Sequence, residues 1–87
     1  MDSYSLEIFM KAASNHHRIN AMMQLKNCPD MSVEELAAAC NVDYKTLSSH
    51  LKKLTNAKLI TKKQYGRRVE HRLTDSGVCF VDFMRSL

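Results

Sequence analysis

The sequence predicts a mainly α fold with a small β-hairpin: four helices in succession, the hairpin, then a fifth helix. Three observations carry this. Apolar residues recur at helical spacing as far as Ala57, the period shifts to strand-like alternation between Ile60 and Leu73, and a helical pattern returns afterwards. Only two Gly and one Pro occur in 87 residues, which leaves few turns between long regular elements.

The first helix is expected over Tyr4 to Ala13, with Leu6, Phe9, Met10 and Ala13 forming one buried stripe. Ser14 or Asn15 caps the second, His16 to Lys26, which turns Ile19, Met22, Met23 and Leu25 inward. Asn27-Cys28-Pro29-Asp30 makes a turn. Ser32-Val33-Glu34-Glu35 then reads as a capping box opening the third helix, whose apolar stripe is Val33, Leu36, Ala37 and Cys40. Asn41 tolerates the left-handed conformation that a sharp stop needs. Asp43 caps the fourth helix, Tyr44 to Ala57, with Leu47, Leu51 and Leu54 inward. Ile60–Gln64 and Arg68–Leu73 read as two strands joined around Tyr65-Gly66-Arg67, with Val69, His71 and Leu73 on one face. Thr74 or Asp75 caps the last helix. No repeat, linker or low-complexity tract interrupts this order, so residues 1–87 read as a single domain.

Composition narrows the function classes. With 45% apolar and 25% charged residues, the chain has ordinary globular composition rather than that of a disordered tail. Its 13 Lys and Arg against 9 Asp and Glu give +4, a weak signal until their placement is considered. Eight of the basic residues lie between Lys52 and Arg72, opposed there only by Glu70. That concentration is the footprint of a polyanion-binding surface. Cys28, Cys40 and Cys79 are scattered with no CxxC pair and read as reduced thiols of a cytoplasmic protein. No secretory leader or apolar run long enough to span a membrane is evident. A glycine-rich phosphate loop, a nucleophile–base pair and convergent carboxylates are all missing, so no catalytic residue is assigned and an enzyme is not expected.

A short capped helix, a tight turn and a longer helix make a helix-turn-helix, whose second helix enters the DNA major groove. At ~100° per residue, Lys45, Ser49, Lys52 and Asn56 point away from the leucine side of the fourth helix, with Ser48 and Lys53 at its flanks. Short hydroxyls permit close approach, and lysines meet phosphates or guanine edges. A merely solvated face usually mixes in Glu, and this one does not. The hairpin that follows carries Lys62, Lys63, Arg67 and Arg68 around a Gly turn, as a basic wing reaching the neighbouring backbone or the minor groove would. The expected DNA-binding set is therefore Tyr44, Lys45, Thr46, Ser48, Ser49, His50, Lys52, Lys53, Lys62, Lys63, Arg67 and Arg68, on a winged helix-turn-helix.

From about Asn15 to Leu73 the sequence resembles the ArsR-type winged-helix repressors. The resemblance is carried by His17-Arg18-Ile19, by Val33-Glu34-Glu35-Leu36-Ala37, and by the Thr46–Leu54 run with its Ser-x-His-Leu core. Ala57-Lys58-Leu59-Ile60, Gly66-Arg67-Arg68 and Arg72-Leu73 complete it. Leu73-Thr74-Asp75-Ser76-Gly77 also resembles the segment after the wing in MarR-like and archaeal regulators. The resemblance implies a homodimer that binds double-stranded DNA at a palindromic operator and represses transcription. Metal-sensing members carry paired Cys in the third helix, where this chain has Ser32, Val33, Glu34 and Glu35. Metal sensing of that kind is therefore not expected; no cofactor is assigned, and the sequence indicates no small-molecule or metal effector.

The last helix is apolar over most of its circumference, and such a helix must be widely buried. Leu6, Phe9 and Met10 of the first helix, with Phe80, Phe83, Met84 and Leu87 of the last, are the expected dimer interface. His16 and His17, whose side chains should diverge, read as surface histidines; Cys40 and Cys79 read as buried, and Cys28 as exposed. The alternative from another class is a winged helix used for protein–protein contact, with the basic face meeting an acidic partner.

Overall fold

The computed structural model describes all residues from Met1 to Leu87. The elements run α1 (Ser3–Ala13), α2 (His16–Asn27), α3 (Val33–Cys40), α4 (Tyr44–Asn56), β1 (Ile60–Tyr65), β2 (Arg68–Leu73) and α5 (Asp75–Arg85). This is the order expected from the sequence, a mainly α winged helix-turn-helix with a single hairpin.

Every helix begins on a side-chain cap, because its first amides have no partner within the helix. Asp2, Asn15, Ser32, Asp43 and Thr74 each accept from an amide two or three residues on. The Ser32–Glu35 capping box is complete in both directions. α3 stops at Asn41, left-handed at φ 55°. α4 stops in the same way on a residue that the sequence does not advertise: Lys58 takes φ 63°. The Lys58 amide donates to the Thr55 carbonyl and the Leu59 amide to the Leu54 carbonyl, both at 3.0 Å.

Leu47, Leu51 and Leu54 of α4 are buried against Met22 and Leu25 of α2, Leu36 of α3, and Leu59, Ile60 and Val81. On α2 the structure corrects the expected stripe. Arg18, Ala21, Met22 and Leu25 are buried, whereas Ile19 and Met23 are only partly covered. The buried face is rotated toward Arg18 because that side chain finds partners on two neighbouring helices. On α1 only Ala13 of the expected stripe is buried; Leu6 and Met10 are 40% and 49% exposed in the single chain. Cys79, expected inside, is exposed, because α5 turns Gly77 and Val81 toward the core instead. Cys40 is buried, which raises the pKa of its thiol, and Cys28 is exposed.

β1 and β2 pair antiparallel from Ile60↔Leu73 to Tyr65↔Arg68, so the connection is a two-residue Gly66-Arg67 turn rather than three residues. Gly66 at φ 62° supplies the positive dihedral that the turn requires. A third backbone segment joins the sheet through one bridge, Met31 with His71. The His71 amide donates to the Met31 carbonyl at 2.9 Å, and the Asp30 amide to the His71 carbonyl at 3.0 Å. A one-residue bridge has no period and is invisible to pattern reading.

The first turn of α5 lies hard against the end of the α4–β1 connection. A Cβ on Gly77 would stand 2.1 Å from the Leu59 carbonyl oxygen. Gly77→Ala is therefore expected to cost about 2 kcal/mol, the scale of overpacking a filled site. Urea denaturation measures this, and an unchanged midpoint would contradict so close an approach.

Candidate nucleic-acid interface

With three leucines holding one side of α4, the rest of its surface is assigned by geometry. Lys45, Ser49, Lys52 and Asn56 are exposed, and Tyr44 stands 53% open at the start of the helix. Tyr44, Ser48, Lys52, Thr55 and Asn56 form one wall of a groove of about 920 Å³, and Lys62, Arg67, Arg68, Val69 and His71 of the wing form the other. Lys45, Lys52, Lys53, Lys62 and Arg67 enter no ion pair within the chain. Unpaired cations on both walls of an open groove attract a polyanion of matching width. Thr46 is less available, because its hydroxyl donates to Asp43 at 2.6 Å as part of the α4 cap.

The wing's position is fixed by the cations that are paired. Arg72 makes a two-point contact to Asp30, Nε to Oδ1 at 2.9 Å and Nη2 to Oδ2 at 2.7 Å. Arg68 donates to Glu70, Glu35 and the Asp30 carbonyl at 2.7, 2.6 and 3.1 Å. These contacts hold the Asp30 carboxyl, through Arg72, below its usual pKa, and the Glu35 carboxyl, through the Ser32 amide and then Arg68, below its own. Arg68 is thus an anchor of the wing to the start of α3, not a free cation at its tip. Along the chain only Glu70 opposes the basic run, because Asp30 and Glu35 arrive from more than thirty residues away. Register divides the remaining cations. Lys62 lies opposite His71 and faces α4, while Lys63 lies opposite Glu70 on the outer face, 5.3 Å above the Tyr65 ring.

His50 occupies the other flank of α4 and is turned toward α2 rather than into the groove. Its Nδ1 lies 3.1 Å from Nη1 of Arg18, and its ring stacks 5.3 Å from that of His17. His16 and His17 do not diverge as expected: their ring centroids are 4.0 Å apart. No group of three or more His, Cys, Asp or Glu is placed to hold a metal ion.

Sharing no lining residue with the α4–wing groove, an open apolar groove of about 470 Å³ runs between α1 and α5. Leu6, Phe9, Met10, Phe80 and Phe83 line it together with Met1 and Cys79. Phe9 packs on Phe80 with centroids 5.4 Å apart, and Phe83 is 55% exposed. Met84 is half-buried against the core and Leu87 is 88% exposed beyond the helix end, so neither lines this groove. No helix is long and apolar enough to cross a membrane.

Residues 15–62 match the family model for bacterial regulatory proteins of the arsR family. Among solved structures, the chain is similar to the homodimeric winged helix-turn-helix DNA-binding domain Mb0332 from Mycobacterium bovis, a possible ArsR-family transcriptional regulator. The TM-score is 0.85 at 22% identity, covering 94% of this chain and 76% of that one. The transcriptional regulator HlyU from Vibrio vulnificus gives 0.82 at 26% identity, covering 97% and 88%. MepR from Staphylococcus aureus, in its complex with DNA, gives 0.81 at 21% identity, covering 92% and 68%. No curated protein sequence matches the chain.

At the base of the groove, His71 is 3% exposed. Its Nδ1 lies 3.1 Å from the Met31 carbonyl, which can only accept, so the ring proton sits on Nδ1. Burial lowers the His71 pKa; the Met31 contact opposes this, Lys62 adds to it, and Glu34 opposes it weakly. With the folded value depressed, the stability this group contributes is complete above the ordinary histidine pKa of about 6.5 and is lost as pH falls through the folded value. The urea midpoint is accordingly expected to be lower at pH 5.5 than at pH 7.5, and His71→Gln to narrow the difference. Equal wild-type midpoints at the two pH values would contradict a neutral buried ring.

Proposed function

The chain belongs to the arsR family of bacterial regulatory proteins, winged-helix DNA-binding transcription regulators, and we propose that it acts as a homodimeric repressor on a palindromic operator. In this reading Met1–Leu87 work as one DNA-binding unit in the cytoplasm. α4 lies in the major groove with Lys45, Ser49 and Lys52 toward base edges and phosphates, and Tyr44 and Ser48 beside them. The wing reaches the adjoining backbone with Arg67 and Lys62. Lys53 and Lys63, on the outer flanks, add phosphate contacts, and Arg68 acts by holding the wing in place.

One observation supports this reading above the others. Lys52 of α4 and Lys62 and Arg67 of the wing, none of them in an ion pair, line one groove, and Lys45 is exposed on the same helix, whose leucines are buried in the core. The dimer is supported by the α1–α5 groove, an exposed apolar patch of the kind that marks an interface between chains. A two-fold axis there would set two reading helices about 34 Å apart, one turn of DNA.

Selection of duplexes from a random library by the whole chain tests the reading. The expected product is a two-fold symmetric site with half-sites about one turn apart. Across a salt series the affinity is expected to fall steeply, and Arg67→Ala to reduce the slope by about 1. A flat salt response with no selected sequence would overturn the proposal in favour of a protein partner. Light scattering is expected to give a dimer for the wild type and a monomer for Phe83→Glu; a monomeric wild type at tens of micromolar, ~10 times the concentration at which a micromolar dimer forms, removes the symmetric model.

A further inference from the structure

One buried cation ties the apolar helix α1 to the reading helix α4. Arg18, on α2, is 8% exposed. Its Nε donates to the Ala12 carbonyl in the last turn of α1 at 2.5 Å, and its Nη1 lies 3.1 Å from His50 Nδ1 on α4. A guanidinium has donors and no acceptor, and it does not lose its proton in proteins. His50 Nδ1 must therefore accept, which places the ring proton on Nε2 and requires the ring to be neutral.

The position of His50 gives that requirement a consequence. At ~100° per residue, His50 sits one step around α4 from Ser49, on the flank opposite Ser48 and the wing. The wing side of α4 is an open groove, so the rotation of the helix about its leucine seam is restrained polar-side only at this flank. Resting on the DNA-binding reading above, we propose that Arg18 is a positioning residue for base reading: through neutral His50 it sets the rotation at which α4 presents Lys45, Ser49 and Lys52, and protonation of His50 releases that setting.

A proton on Nδ1 removes the acceptor and sets a second cation against the guanidinium. The groups facing His50 offer nothing to neutralise it. α2 presents Arg18, His17 and His16, α4 presents Lys53, and α1 contributes the Ala12 carbonyl that Arg18 already occupies. Burial, followed by Arg18, His17, Lys53 and His16, holds the His50 pKa below the ordinary histidine value. The device is therefore set at neutral pH and released in acid. Protonation should act on discrimination rather than on attraction, because any added positive charge strengthens non-specific binding to phosphate.

The experiment compares the affinity of the whole chain for its selected duplex with that for a scrambled duplex of equal length, between pH 8 and pH 5.5. The wild-type ratio is expected to fall roughly tenfold, about the discrimination that one well-placed base contact carries. His50→Asn places an amide oxygen near the position of Nδ1, where it accepts from Arg18 without titrating, and is expected to hold its ratio to within about twofold, near the limit of such coupling measurements. In parallel, ¹⁵N spectra of the His50 ring are expected to report an Nε2–H tautomer at neutral pH, whether or not DNA is present. An Nδ1–H tautomer, a wild-type ratio independent of pH, or a His50→Asn ratio that still falls as in the wild type overturns the positioning role while leaving DNA binding in place. A chain that selects no duplex overturns the functional reading and the positioning role with it, even with the tautomer as drawn.

Discussion

Leu47, Leu51 and Leu54 fix which side of α4 faces the core, and the groove, the wing and the cationic surface all take their places from that choice. Each of the three is buried against α2, α3 and the β1 start, where rotation of the helix by one residue would bring Ser48 or Lys52 into the core. Burying an unpaired polar group costs several kcal/mol, roughly the size of a domain's stability margin, so the alternative rotation is not populated. The hydrophobic contact thus decides which polar side chains face outward. It does not decide what they bind.

Charge pairing makes the second division. Of the basic residues concentrated after Leu51, Arg68 and Arg72 are committed to Glu35, Glu70 and Asp30, and they clamp the wing to the α2–α3 turn and the start of α3. Each of these pairs is at least partly exposed, and such pairs add little stability in water. Their contribution is directional, since two-point Arg72–Asp30 contact and three-way Arg68 contact leave the wing little freedom to swing. Arg67, next to the anchoring Arg68 in sequence, remains unpaired at the tip. A tether and a free cation on consecutive residues allow the wing to be both placed and attractive.

Much of this was legible in the chain wherever the cause is local. The Ser32–Glu35 box, the left-handed Asn41, the leucine spacing of α4 and the shift to alternation after Leu59 all act within a few residues, and each stands in the structure as read. What could not be read joins distant segments. Arg18 with His50, Arg72 with Asp30 and Met31 with His71 are separated by 32, 42 and 40 positions, and no periodicity marks them. The same cause misled at Cys79 and His50. A helical stripe shows which residues lie together, but only neighbouring elements decide whether that side meets the core, a groove or another helix.

The α1–α5 face and the α4–wing groove lie on different parts of the molecule, which allows the central assignment to be mapped directly. Amide chemical shifts of the whole chain, followed while a duplex that it has selected is added, report contact residue by residue. Shifts are expected to concentrate at Lys45, Ser49, Lys52 and the Gly66-Arg67 turn, with Leu6, Met10 and Phe83 unmoved. Shifts confined to α1 and α5, with α4 and the wing silent, would contradict that assignment.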